Sequence, residues 1–310
     1  MSEFLLADIG GTTSRLAFAR AGGRPERIVT IANNTVSGPE EMIAQSLDDA
    51  VNRPGAAVLA VAGPVDGDEI ALTNRSWSFR LSDLSQRFGL RFCAINDFEA
   101  IAWGLPLLGE HDTRPIGGSS SPAPGAKVVL GPGTGLGVAA LVPAGDSWHV
   151  VASEGGHSSF GSAARDEEPV FSRLAEESPL IAAEFLLSGP GLARLHRAVN
   201  PGVMKLTSEM ILTQARAGHR EARSTIALFV RLLGRFAGDM ALIFKATGGV
   251  YVAGGVAMGL GALLDEKLFR TAFEAHPPHQ GLLAAIPTSL ITCEEPGLLG
   301  CAAFASQMVD

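Results

Sequence analysis

The chain has 310 residues, of which 46% are hydrophobic and 18% charged. This suits two globular domains and excludes a disordered chain. The formal net charge of -8 gives no long-range attraction for nucleic acid or anionic lipid, so a bound polyanion would be held by local amides and a metal. Cys93, Cys293 and Cys301 form no CxxC pair, so neither a structural zinc site nor a disulfide framework is expected, and a reducing cytosol fits.

No basic segment followed by a long apolar one opens the chain, so no signal peptide is expected. Strand-like runs occupy 4–9, 15–19, 27–32 and 57–62. The first two flank Asp8, Gly10, Gly11, Thr12 and Thr13 in LLADIGGTTSRLAFA (5–19). Glycines let a backbone turn tightly, and hydroxyls and free amides suit anionic oxygens. An aspartate beside them conflicts with bare phosphate unless a cation lies between, so the stretch points to a metal-chelated nucleotide. A plain hairpin with a capping aspartate is the alternative.

PEEMIAQSLDDAVN (39–52) reads as a helix, with Ser37 as N-cap and acids in its first turn. After AGPVDGDEIALTN (62–74) a second helix starts near Leu81. LRFCAI (90–95) reads as a buried strand ending at Asn96-Asp97, and FEAIAWGLPLL as a helix stopping before Pro106. Asp97 then lies past the carboxyl end of a strand, where ligands gather in open α/β sheets. It suits a general base or, more commonly, an N-cap.

PIGGSSSPAPGA (115–126) reads as a loop at or near a domain boundary. KVVLGPGTGLGVAALV (127–142) is strand, glycine loop, strand, and repeats the form of the opening stretch. Its GPGTGLG matches neither a Walker loop nor a Rossmann fingerprint. In SEGGHSSF (153–160) two glycines separate Glu154 from His157, which lets both converge on one small ligand. Glu184 lies on a helix ending near Ser188-Gly189, as a surface acid or a site residue. Helices are expected around 179–199, 207–246 and 261–275, strands at 250–253 and near 286–293, and a short helix at the end. Ala246 to Leu264 is uncharged and nearly long enough to span a bilayer, but its glycines split it into strand, turn and helix start. His276 and His279 in HPPHQG read as surface histidines. The whole pattern is α/β, as two weakly similar halves with helices packed on sheets.

These segments, in order, resemble the cytosolic bacterial glucokinases of the actin-like ATPase and sugar kinase superfamily. The resemblance rests on ADIGGTTSRLAFA, AGPVDGDEIALTNRSWSF, INDFEAIAWGLP, LGPGTGLGVAAL, SEGGHSSF, AEFLLSGPGLARLHRAV, GGVYVAGGVA and EEPGLLGCAAFA. It implies a two-domain actin-like ATPase (ribonuclease H-like) fold, with mixed sheets flanked by helices and a cleft between a small domain (1–106 plus about 299–310) and a large one (107–298). It implies ATP-dependent phosphorylation of glucose at O6 in a cytoplasmic homodimer, with no nucleic-acid or membrane partner.

By position, Asp97 would be the general base, and Asn96, Glu154, His157 and Glu184, with Asn74, would hold sugar hydroxyls. Asp8 would act through ATP-bound Mg2+. Gly10, Gly11, Thr12 and Thr13, with Gly133, Thr134 and Gly135, would face the phosphates, and Gly254 and Gly255 the nucleoside. The chain departs from the family at Thr13, where asparagine is common, and at Ser158-Ser159, where an apolar residue and an acid are more usual. Another hexose or amino-sugar kinase, or a non-catalytic sugar sensor, are the competing readings.

Overall fold

The computed structural model describes residues 3–73, 75–118 and 122–308. The chain divides into two compact units, Met1–Gly109 with Cys293–Asp310, and Glu110–Thr292.

Unit 1 opens with β1 (Glu3–Ile9), β2 (Thr13–Arg20) and β3 (Glu26–Ala32), then α1 (Pro39–Asp48) and β4 (Ala56–Val61). A short hairpin follows, β5 (Glu69–Ala71) and β6 (Ser78–Arg80), then α2 (Leu81–Phe88), β7 (Arg91–Asn96) and α3 (Asp97–Gly104). The main sheet has the order β3-β2-β1-β4-β7. β1 pairs antiparallel with β2 and parallel with β4. Both faces of this sheet are covered, which is why β1 and β4 read as continuous apolar runs. Leu5, Ala7, Ile9, Ala57, Leu59 and Val61 pack on one side. Phe4, Leu6, Val58 and Ala60 pack on the other. The strand period of two puts Asp8 on the same side as Phe4 and Leu6.

Unit 2 comprises β8 (Thr113–Gly117), β9 (Lys127–Pro132), β10 (Leu136–Ala144) and β11 (Ser147–Ser153), then α4 (Glu168–Glu177), α5 (Ala183–Leu186), α6 (Gly189–Val199), α7 (Ser208–Arg216) and α8 (Arg220–Ile243). It continues with β12 (Val250–Val252), α9 (Gly255–Leu260), α10 (Glu266–Glu274), α11 (Gln280–Ala285) and β13 (Thr288–Ile291). Its sheet order is β11-β10-β9-β12-β13-β8. The sheet repeats the scheme of unit 1: an antiparallel meander whose first strand has a parallel neighbour on its other side. The halves expected from the two glycine turns are therefore related in topology. α8 runs through the unit 2 core, with Phe229, Leu233 and Phe236 buried. α10 packs against it through Phe269 and Phe273.

The last helix, α12 (Pro296–Ala305), belongs to unit 1. It lies against α3, and the contact is backbone-close. A methyl group added at Gly300 would stand 1.6 Å from the Ala100 carbonyl oxygen. Gly300→Ala is therefore expected to force the helices apart and destabilise unit 1 by about 1–3 kcal/mol. A lowered denaturation midpoint for that unit checks this, and an unchanged midpoint would contradict the tight crossing.

Several local expectations differ from the structure. Gly38, not Ser37, is the N-cap of α1, and Ser37 instead donates from its N and Oγ to Glu41. The 115–126 stretch is not all loop, because its first residues complete β8, which pairs with β13. The boundary between units falls near it, at Gly109–Glu110. β11 and α4 went unread; α4 is sheltered by Val170, Phe171 and Leu174. The 207–246 helix is broken at Gly218, whose φ is +93°. The helix expected at 261–275 begins only at Glu266, as α10, capped by Asp265, whose side chain accepts from the Leu268 N–H; α9 ends before it, at Leu260. His276 is not a surface residue: its side chain is 15% exposed, and its Nε2 lies 3.0 Å from Asp239. His279 is exposed. No helix among the described residues is long and apolar enough to cross a membrane.

Candidate active site

In unit 1 the β1–β2 turn carries Gly10, Gly11 and Thr12, with Thr13 opening β2. Asp8 precedes it, on the side of the sheet that α12 covers. A methyl group at Gly297, in the first turn of α12, would stand 2.7 Å from Asp8 Oδ2. Burial pushes the Asp8 carboxyl above the usual range, and the Arg15 guanidinium opposes that rise. Arg15 sits opposite Asp8 in the strand register and pairs with Glu295 at 2.8 Å. Glu295 is itself raised, first by burial and also by the Asp8 charge. The sequence reading did not single out Glu295. Its place beside Pro296, at the start of a helix, was the only available signal.

Asp97 is the first residue of α3, and Asn96 is its N-cap. Asn96 Oδ1 accepts from the Phe98 and Glu99 N–H groups, and Glu99 Oε2 accepts in return from the Asn96 N–H. This is a capping box, and it corrects the expectation that Asp97 serves as the cap. Asn96 Nδ2 donates to the Gly63 carbonyl at 3.1 Å, and the Asn96 side chain also bonds the Asp97 carboxylate, which counters part of the rise in its pKa. Asp97 Oδ1 accepts from Phe98 N–H at 2.9 Å. Burial, and next the charge of Asp8, raise the Asp97 carboxyl to about 7. Asn74 lies outside the described residues.

In unit 2 the second glycine turn, Gly133 to Gly135, joins β9 to β10. Gly133 N–H donates to the Gly135 carbonyl, and the Gly133 carbonyl accepts from Gly189 N–H at the start of α6, both at 2.8 Å. Glu184 is partly buried, not a surface acid. Its Oε2 accepts from Leu136 N–H at 2.8 Å. A methyl group at Gly135 would stand 2.4 Å from that oxygen. The glycine therefore makes room for a carboxylate that ties α5 to the turn. Glu154 and His157 lie 3.8 Å apart at the nearest atoms, with side chains 79% and 61% exposed. At that distance they are neighbours rather than hydrogen-bonded. Both are open to a ligand.

Thr134, His157 and Glu184 line one pocket of about 250 Å³, together with Phe185, Ser188 and Arg194. Glu154 is beside His157 but not in that lining. Gly254 has φ of +90° and caps α9, and its carbonyl accepts from the Met258 N–H. Gly189 lies near both the Gly133 carbonyl and Val256 of α9. This brings the glycine turn, the start of α6 and the start of α9 into one neighbourhood of unit 2.

A family model described as Glucokinase matches residues 5–308. The chain belongs to the glucokinase family. A glucokinase of Agrobacterium fabrum is 38% identical over 314 residues, covering 99% of this chain and 92% of that protein. The glucokinase structure from an Antarctic psychrotroph has a TM-score of 0.90 at 30% identity, covering 98% of each chain. A ROK family glucokinase from Streptomyces griseus, solved with glucose and AMPPNP, has a TM-score of 0.65 at 23% identity, covering 98% of this chain and 99% of that one. That last likeness is one of fold. The fold is the α/β fold of the actin-like ATPase sugar kinases.

Proposed function

We propose that the protein transfers the γ-phosphoryl group of ATP to the 6-hydroxyl of glucose, giving glucose 6-phosphate and ADP. The observation that carries this is Asp97: a carboxylate at the carboxyl end of β7, whose helix is capped by Asn96 instead, held near pKa 7 by burial and by the charge of Asp8. The reading assigns unit 1 to the small domain and unit 2 to the large one. It includes a cytoplasmic homodimer, as the resemblance implies.

Magnesium fits the residues present. Asp8 burdens both Asp97 and Glu295 with like charge, a local excess that a divalent cation relieves. Among the described residues no three His, Cys, Asp or Glu side chains are grouped to hold a metal. A magnesium ion carried in by the nucleotide phosphates would be held there by Asp8. When bound, Mg2+ neutralises phosphate charge.

The chain's own groups do the rest. Asp97 accepts the proton of the 6-hydroxyl as its oxygen attacks the γ-phosphorus. Glu154, His157, Glu184 and Asn96 orient the remaining hydroxyls. The free amides of the two glycine turns bind phosphate oxygens. Gly254 and Gly255 lie against the nucleoside. Phosphoryl transfer asks mainly for positioning and charge neutralisation, which this inventory supplies.

The test is ADP release from Mg-ATP with glucose, fructose, mannose, galactose, glucosamine and N-acetylglucosamine, against a no-sugar control. Turnover highest with glucose supports the reading. Preference for another sugar moves the substrate, and no sugar-dependent release in folded protein overturns the kinase. Glu154→Gln is expected to raise KM for glucose about tenfold, since a hydrogen bond to a charged partner is weakened, with little change in KM for ATP. An ATP-specific defect would instead misplace the sugar loop.

A further inference from the structure

The β1–β2 turn is held by two residues that no reading above assigns, Asn33 and Arg75. Asn33 follows β3 directly and is fully buried. Its Nδ2 donates to the Gly10 carbonyl at 2.7 Å, its Oδ1 accepts from Ser14 Oγ at 2.8 Å, and its N–H donates to the Thr12 carbonyl at 2.9 Å. Arg75 lies in the connection between β5 and β6. One end of its guanidinium donates to the Asn33 carbonyl at 2.6 Å, and the other reaches the Gly11 carbonyl at 3.5 Å. The group is stacked on Trp77, 4.0 Å from the ring centroid. The Thr13 carbonyl accepts from Gly10 N–H at 3.2 Å.

Every carbonyl from Gly10 to Thr13 is thus drawn to a donor of the protein. The N–H groups of Gly11 and Thr12 make no such bond among the described residues. A turn whose carbonyls are tied back and whose amides are free is a concave donor surface for an anion. Left alone, a glycine pair would sample many backbone states and hold those amides in line only briefly.

We propose that Asn33 and Arg75 form a clamp that fixes the Gly10–Thr13 turn with its amides presented to the nucleotide phosphates, and that Arg75 also sets a positive charge behind them. Both act as positioning residues. The inference rests on the ATP-dependent reading. It predicts which substrate each residue serves: loss of the clamp weakens Mg-ATP and leaves glucose alone.

The experiment compares Asn33→Ala, Asn33→Asp, Arg75→Met and Arg75→Lys with the parent protein, measuring kcat, KM for each substrate, and Mg-ATP binding by calorimetry. Asn33→Ala and Arg75→Met are expected to raise KM and Kd for Mg-ATP about tenfold, as buried carbonyls lose their donors. KM for glucose should stay within about twofold, a change too small to count as a lost hydrogen bond. Arg75→Lys keeps the charge and loses the fork, so it should recover part of the loss. Asn33→Asp keeps the shape and the Ser14 contact but opposes the Gly10 carbonyl, so it should bind Mg-ATP poorly in a folded protein.

Unchanged Mg-ATP affinity in Asn33→Ala and Arg75→Met overturns the clamp. So does a parallel loss of glucose and Mg-ATP, the mark of general structural damage. If the parent protein shows no sugar-dependent turnover, the kinase reading fails and the clamp is read from inorganic tripolyphosphate binding. Weaker binding in Asn33→Ala than in the parent then supports it, and equal or no binding overturns it.

Discussion

Asp97→Asn is expected to lower kcat by about 10²–10⁴-fold, the usual worth of a general base. KM for glucose should change little. The side chain keeps its shape and its contact with Phe98 N–H in the variant, but it cannot accept the proton of the 6-hydroxyl. The pH dependence of the parent protein follows from the raised carboxyl. Asp97 acts only when ionised, so kcat/KM should rise with pH through about 7 and then level off. The sign for stability is opposite. An unfolded aspartate titrates near 3.8 and the folded one near 7, so the folded state holds the extra proton between those values. The contribution of Asp97 to stability is present in full below pH 3.8 and is lost as pH rises to about 7. Asp97→Asn removes that loss and should be the more stable protein at pH 8. Near-parent turnover would remove Asp97 from the mechanism, and a variant less stable at pH 8 would remove the buried charge as the cause of the raised value.

The second large effect is on stability and lies away from the site. Arg270→Met is expected to destabilise unit 2 by about 1–3 kcal/mol for each buried carbonyl left without its donor. Arg270 is 8% exposed, on α10. Its Nε donates to Glu274 at 2.9 Å. Its Nη1 reaches the Ile286 carbonyl at 3.0 Å and Thr288 Oγ1 at 3.2 Å, and its Nη2 the Leu283 carbonyl at 3.0 Å. One side chain thus satisfies the end of α11 and the entry to β13. Methionine fills much of the volume and leaves those carbonyls unpaired and Glu274 without its cation. A urea midpoint that does not fall would show that water replaces the guanidinium.

Much of this was legible in the sequence because it is local. β1 and β4 announce themselves as apolar runs, and the two glycine turns mark equivalent places in two related sheets. Asp97 could be found from the strand end before it. What Asn96 does could not, since Asp and Asn are interchangeable as caps until the helix start is fixed to one residue. The residues around Glu184 left surface acid and site residue both open, because its partner, Leu136 N–H, is distant in sequence and carries no side-chain signal. Asn33 and Arg75 were missed for the same reason: they act on carbonyls of a turn far along the chain. His276 seemed exposed beside two prolines, and only the packing of α8 beneath it supplies Asp239.

The return of α12 to unit 1 has a consequence for how the protein is made. On the ribosome, β1 through α3 emerge first, and the side of their sheet bearing Phe4, Leu6, Val58 and Ala60 has no Leu298, Cys301 or Ala302 to cover it. The whole of unit 2 is synthesised in between, and domains tend to fold as they emerge. The N-terminal unit is therefore expected to wait, part-covered and sticky, until the last helix leaves the exit tunnel. A nascent chain halted before Pro296 should bind a chaperone through that open face, and one lengthened beyond Ala305 far enough for α12 to clear the tunnel should release it.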